Sequence, residues 1–188
     1  MNNQPCVMLS MKPKWAGRIF DGRKNLEFRK RKPRVEVPFK AYIYCAKWHP
    51  SDADTSVPES TVYGSPEYDT LCISCPANMM GRTQTVVGEV IIDRIEIVTW
   101  DKATSRALYG GKDEKGLLSG GVTVEEFLDY QGSRPVYGLH IASVKYYKNP
   151  KKLSSFCFAG TDAPVKYPPQ SFCLVNDLNT LYPSEVGK

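Results

Sequence analysis

Several things are missing from this sequence, and each absence narrows what the chain can be. No apolar run approaches the roughly 18 residues that a membrane-spanning helix needs, so no membrane role is expected. The first twenty residues carry no charged segment followed by an apolar one, which argues against a secretory leader and for a cytoplasmic protein. Six cysteines in such a chain are expected as reduced thiols rather than as three bridges. No internal repeat or low-complexity tract is present.

Acidic residues are scarce in one place. Between Lys12 and Lys40 there are eleven Lys/Arg and only Asp21, Glu27 and Glu36 to oppose them, a local charge of +8. The whole chain is +5, so the rest is mildly acidic. A basic patch on an acidic body points to a polyanion partner. The other totals are those of a soluble globular chain: 188 residues, 41% hydrophobic and 24% charged. They fit a single domain over 1–188.

Val7, Leu9 and Met11 alternate as one face of a short strand. Pro13 then opens a helix whose apolar face is Trp15, Ala16, Ile19 and Phe20, closed by Asp21-Gly22 with Gly22 at a left-handed position. Leu26 and Phe28 alternate with Asn25, Glu27 and Arg29 as a half-buried strand. That places Glu27 and Arg29 on one polar face, about 7 Å apart by the strand rise. Phe39–Ala46 is apolar on both faces and should be a central strand.

Residues 50–85 are rich in Ser, Thr, Asp, Pro and Gly and read as a loop insertion. Val86–Trp100 is a long strand with a bulge expected at Ile91-Ile92 and a kink at Gly88. A short helix is expected around Lys102–Leu108. Another follows Thr123, where Thr123 and Glu126 form a capping box and Val124, Phe127 and Leu128 face the core. Val136–Tyr147 is a strand, and a proline-rich extension begins near 148 with one strand-like piece at Ser171–Val175. Strands joined by short turns, with few helices, predict an α+β fold: a small β-barrel of five or six mostly antiparallel strands, capped by two or three helices.

The ordered set of motifs is similar to a known family. Gly22-Arg23-Lys24-x-x-Glu27-x-Arg29, preceded by Leu9-Ser10-Met11-Lys12-Pro13, resembles the ASCH domain, a branch of the PUA-like superfamily of RNA-associated barrels. Ala41-Tyr42-Ile43-Tyr44-Cys45, Val87-Gly88-Glu89-Val90 and Tyr137-Gly138-Leu139-His140-Ile141 extend the resemblance over most of 7–147. Asn149-Pro150-Lys151-Lys152-Leu153 and Pro168-Pro169-Gln170-Ser171-Phe172 resemble a phage and prophage subgroup. The resemblance implies a cleft lined by the Gly22–Arg29 segment and binding of RNA or a modified nucleobase. One bacterial member type hydrolyses acetylated cytidine with a Lys-x-x-Thr pair and a glutamate from a later helical region. Here Lys24 holds the lysine position and Glu27 replaces the threonine. Ser119-Gly120-Gly121, ahead of the Thr123 cap, supplies no such glutamate.

The leading candidate site is therefore Lys24, Glu27 and Arg29. Two flanking cations should keep Glu27 ionised, able to accept from an exocyclic amine or a sugar hydroxyl. Glu27 should in turn favour the ammonium of Lys24, which argues against Lys24 as a base. Lys24 and Glu27 are the catalytic candidates if chemistry occurs at all. The alternative is a salt bridge that only holds the turn. Lys12, Lys14, Arg23 and Arg31, with the neighbouring cations, are candidates for phosphate contacts. Tyr44, Trp48 and Tyr137 are candidates for base stacking, and His140 for the cleft. Cys45, His49, Cys72 and Cys75 offer a zinc-type ligand set, but a single CxxC and a cysteine inside a strand argue against metal. No cofactor is expected.

The function expected is an RNA- or nucleotide-binding module. A nuclease or an amidohydrolase on acylated nucleosides is the alternative, and a protein-binding adaptor using the 50–85 loop or the tail is a third.

Overall fold

The computed structural model describes residues 4–48, 79–101, 106–109, 112–113, 121–122, 124–132 and 134–178. The strands are β1 (Cys6–Met11), β2 (Leu26–Arg29), β3 (Phe39–Cys45), β4 (Thr85–Asp101), β5 (Arg106–Tyr109), β6 (Lys112–Asp113), β7 (Val136–Lys151) and β8 (Phe172–Val175). The helices are α1 (Pro13–Phe20) and α2 (Val124–Gln131). No described helix is long and apolar enough to cross a membrane.

Six strands form one mixed sheet in the order β2-β7-β4-β3-β1-β8, with β5 and β6 added beside β4. Every pairing is antiparallel except β1 with β3. The sheet is not closed by a ladder between β2 and β8. The Arg29 side chain, at the end of β2, crosses to the other edge: Nη2 donates to the Ser10 carbonyl at 3.0 Å and Nη1 to the Ser171 carbonyl at 2.9 Å. One arginine thus ties the two edges of the sheet together at a seam.

Both faces of β1 and β3 are buried, as the doubly apolar pattern of β3 predicts. On one face Val7, Leu9, Ala41, Ile43, Val90 and Ile92 pack with Ala16 and Ile19 of α1. On the other, Met8, Tyr42 and Tyr44 meet Phe156, Val165 and Val175 of the C-terminal segment. Part of what reads as a proline-rich extension therefore closes a core. It is pinned by Asp177, which accepts from Lys40 Nζ and Tyr42 Oη at 2.7 Å each. A third cluster joins Leu26 and Phe28 of β2 to Phe127 of α2, with the Phe28 and Phe127 rings edge-on at 5.1 Å.

The expected bulge is present, with register shifts in the β4–β7 ladder at Ile91/Ile92 and Ile92/Arg94. Gly88 sits at another shift, where a Cβ would lie 2.5 Å from the Lys145 carbonyl oxygen and 2.6 Å from the Phe20 ring. Three expectations are corrected. Of the helix expected over Lys102–Leu108, residues 102–105 lie outside the described residues and 106–108 belong to β5, because β4 runs on to Asp101 and pairs Val98–Asp101 with Arg106–Tyr109. Strand β7 continues past Tyr147 to Lys151, paired there with Val86. Leu128, assigned to the core face of α2, is exposed. The 50–85 insertion lies outside the described residues as far as 78, as does Thr123 of the capping box.

Candidate functional site

The site is built where α1 turns into β2. The helix closes with the Asp21 amide donating to Gly17 at 2.9 Å, and Gly22 takes a φ of +82°, a conformation glycine adopts at no steric cost. The Lys24 amide then donates to the Arg18 carbonyl at 2.7 Å, which turns the Lys24 side chain inward over the helix end. Among the described strands β2 pairs only with β7, and a cavity of about 320 Å³ lies against it.

Lys24, Glu27 and Arg29 all line this cavity, and all three are buried, with exposures of 3%, 6% and 6%. The half-buried strand expected from alternation is fully buried, because α2 covers one side of β2 and Arg29 folds across the seam on the other. Glu27 Oε1 accepts from Arg29 Nη2 at 2.9 Å, and Oε2 lies 3.4 Å from Lys24 Nζ. Lys24 Nζ also donates to the Leu26 carbonyl at 2.7 Å and sits 4.9 Å over the Phe28 ring and 5.5 Å over that of Trp15. Among the described residues, Arg29 Nε is buried without a hydrogen-bond partner.

The electrostatic expectation for Lys24 is reversed. Desolvation by burial pushes its pKa below the ordinary lysine value; Glu27 opposes this, while Arg29 and Arg18 add to it. A lysine shifted in this direction is easier to use as a base than its carboxylate neighbour alone suggests.

The other wall comes from α2 and the chain before it: Val122, Glu126, Phe127 and Tyr130. Glu126, assigned to the capping box by spacing, pairs with Lys14 Nζ and lies 3.5 Å from Arg18 Nη1. It brings a second carboxylate to the cavity. Trp15, at the mouth, has Lys14, Arg18 and Lys24 within 4.9–5.5 Å of its ring centroid. Neither Glu126 nor these aromatic walls stood out as site residues in the sequence. For Trp15 the available signal was its place between Lys14 and Arg18, about two helical turns ahead of the Gly22–Arg29 motif.

The remaining candidates fall in different places. Lys12 lines the cavity, and Lys14 does not but touches two residues that do, Glu126 and Trp15. Arg23 is held by Asp21. Tyr44 is buried in the second core cluster, and Trp48 is exposed outside the cavity lining. His140 is also outside it, with Nδ1 at 2.6 Å from Asp93 Oδ1. Gly138, beside it, faces the Val98 and Leu26 side chains. Tyr137 and Arg31 line a second, neighbouring groove of about 550 Å³. Cys45 is buried in β3, and its proposed co-ligands His49, Cys72 and Cys75 lie outside the described residues. Among the described residues, no group of three or more His, Cys, Asp or Glu could hold a metal ion.

A model of the ASCH domain matches residues 9–156, and the chain belongs to that family. ASCH domains share a PUA-like fold commonly linked to RNA binding. Among solved structures, ASCH from Zymomonas mobilis is similar with a TM-score of 0.59 and 15% identity, covering 97% of this chain and 96% of that one. Two single-substitution variants of the Zymomonas protein match with TM-scores of 0.54 and 0.56 at 16% and 15% identity. The first covers 97% of this chain and 99% of its own, the second 96% and 95%. At such identities these likenesses establish the fold alone. No curated protein matches the chain.

Proposed function

We propose that the chain binds RNA by taking one base into the cavity floored by Lys24, Glu27 and Arg29. The observation that carries this is the combination of a buried, charged donor–acceptor set with aromatic walls. A cavity of about 320 Å³ is at the small end of ligand sites, suited to one nucleotide rather than a duplex. The Glu27 carboxylate has acceptor capacity beyond its two cations, so it can read an exocyclic amine. Lys24 and Arg29 supply donors to base carbonyls, and Trp15, Phe28, Phe127 and Tyr130 enclose the ring. The basic segment outside supplies attraction to phosphate.

Binding of labelled single-stranded RNA at two salt concentrations tests this. Hydrogen bonds to charged groups contribute about 1.5–3 kcal/mol, so Lys24→Met should weaken binding by about 10- to 150-fold. Wild-type affinity in that variant, with folding intact by circular dichroism, sinks the proposal.

A second reading is favoured by one specific observation, the depressed pKa of Lys24, buried beside Glu27 in a cavity that Glu126 also lines. In that reading the chain is a hydrolase, with Lys24 as general base and substrates drawn from RNA or acylated nucleosides. Incubation with labelled RNA and with N4-acetylcytidine decides it. Product from neither substrate ends the hydrolase reading, and turnover that survives Lys24→Met removes Lys24 as its base.

A further inference from the structure

The groove beside the base cavity has a composition of its own. Its lining is Lys30, Arg31, Lys32 and Arg34 with Tyr137, Phe172 and Leu174, and no acidic residue is among them. Building on the base-binding reading of the first cavity, we propose that this groove is a second nucleotide subsite. The ligand is then a single RNA strand that spans both cavities, not a free nucleoside.

Three observations carry the inference. The first is that the cations are exposed but mounted on an anchored turn. Pro33 is buried and Val35 packs against the main core, so residues 30–34 are held in place. Among the described residues, Arg31, Lys32 and Arg34 make no ion pair, so their charge is directed at solvent or a ligand. The second is the division of the groove by chemistry. Four cations lie on one side, while Tyr137 of β7 and Phe172 and Leu174 of β8 give a partly buried apolar side. A nucleotide has the same division, with phosphate on one edge and a base or ribose to cover apolar surface. An acidic peptide would satisfy the cations and leave the apolar side in water. A duplex would keep its base faces stacked away from it.

The third observation is adjacency. Lys30 lines the second groove, and its Nζ lies 5.4 Å over the ring of Tyr130, which lines the first cavity. Gln170 lines the first and Phe172 the second. Between them runs the bond from Arg29 Nη1 to the Ser171 carbonyl at 2.9 Å. The two cavities are therefore halves of the seam between β2 and β8, divided by a single side-chain bridge. A strand laid along the seam puts one base on each side of that bridge.

The test uses a labelled oligocytidylate of about eight nucleotides, whose N4 amines suit the Glu27 acceptor and whose length is within the roughly 4–16 nucleotide sites of single-strand binders. Affinity is measured across salt concentration for wild type, Arg31→Ala/Arg34→Ala and Lys24→Met. Losing two phosphate contacts from a single strand lowers the slope of log K against log salt by about 1.4, or about 25-fold in affinity at 0.1 M salt if the curves converge at 1 M. Lys24→Met should weaken binding while keeping the wild-type slope. If Lys24→Met weakens binding but the double variant keeps wild-type affinity and slope, the second subsite is wrong and the base cavity stands. If neither variant changes binding, or wild type binds no RNA, both fall. Equal displacement of the RNA by polyphosphate or poly-glutamate, charge for charge, makes the groove a plain anion surface and also overturns the proposal. Both arginines are exposed, so an unchanged urea midpoint confirms that the double variant is folded.

Discussion

The buried charges of the cavity are not equivalent, and their inequality can be measured. Glu27 is a single carboxylate between two buried cations, with Arg18 acting on Lys24 from nearby. Glu27→Gln removes the carboxylate paired with both Lys24 and Arg29 and leaves two desolvated cations without it. Breaking a buried pair in this way costs about 3–5 kcal/mol. Lys24→Met removes a cation whose burial is already unfavourable, keeps the Glu27–Arg29 pair and leaves an apolar chain against Trp15 and Phe28. Its main loss is the charged bond to the Leu26 carbonyl, about 1.5–3 kcal/mol, which the relieved desolvation of the ammonium offsets in part. The expected order is a Glu27→Gln penalty exceeding that of Lys24→Met by about 2 kcal/mol or more, read as urea midpoints at constant m. The pH dependence gives an independent check. Lys24 has a folded pKa below its unfolded value of 10.5, so the unfolded chain binds the extra proton between the two. Its burial penalty is complete below the folded pKa and is relieved as pH rises toward 10.5. Wild type should therefore gain on Lys24→Met as the buffer becomes alkaline. The difference isolates Lys24, because the buried thiols and phenols, whose pKa values are raised, act oppositely in both proteins. A Lys24→Met penalty as large as that of Glu27→Gln, or a flat difference with pH, refutes a desolvation-dominated lysine.

Three further outcomes follow from the packing. Gly88→Ala forces a methyl to within 2.5 Å of the Lys145 carbonyl and 2.6 Å of the Phe20 ring, and should destabilise by about 1–3 kcal/mol in thermal or urea unfolding. Unchanged stability would mean that α1 moves freely on the sheet. Asp177→Asn weakens the bonds from Lys40 and Tyr42 that fasten the C-terminal segment, and should speed amide exchange in 172–178 well before the central strands respond. Equal acceleration in both regions would show that the segment is not a separate fastening. Burial, aided by Asp177, pushes the Cys6 thiol up to about 12, and burial alone takes Cys173 to about 11. In the native protein both should resist alkylation at pH 9, where an exposed thiol reacts readily; fast labelling of Cys6 would contradict the packing of β1 under the tail.

Local pattern carried the elements that local chemistry decides. The period-two run before Pro13, the helix closing at Gly22 and the adjacent isoleucines at 91–92 each have a short-range cause, and each is found in place. The failures have a long-range cause. Residues 106–109 become a strand only because β4 extends far enough to pair with them. Glu27 and Arg29 were legible as neighbours on one face, but their burial depends on Phe127 and Ser171, about 100 and 140 positions away, as the seam contacts show. The same limit hid Glu126: three residues after a threonine it matches a capping box, and only the fold reveals Lys14 beside it.

The seam also explains why a costly charge cluster is tolerated. At the seam the Ser171 carbonyl already accepts from the Ser10 amide at 3.1 Å, and Arg29 adds a second donor to it while also bonding the Ser10 carbonyl. A guanidinium there needs a counter-charge, and Glu27, two residues earlier on the same face of β2, supplies it at 2.9 Å. Lys24 is then drawn in by the same carboxylate, at a desolvation cost that Glu27 does not fully offset. Closing the seam thus creates a polar floor under an aromatic cavity, with the basic turn of residues 30–34 following directly from it. In this protein the structural role of Arg29 and the proposed binding role of its neighbours are one arrangement. Arg29→Lys, which keeps the charge but cannot serve both carbonyls and Glu27 together, should therefore lower stability and RNA affinity in the same variant.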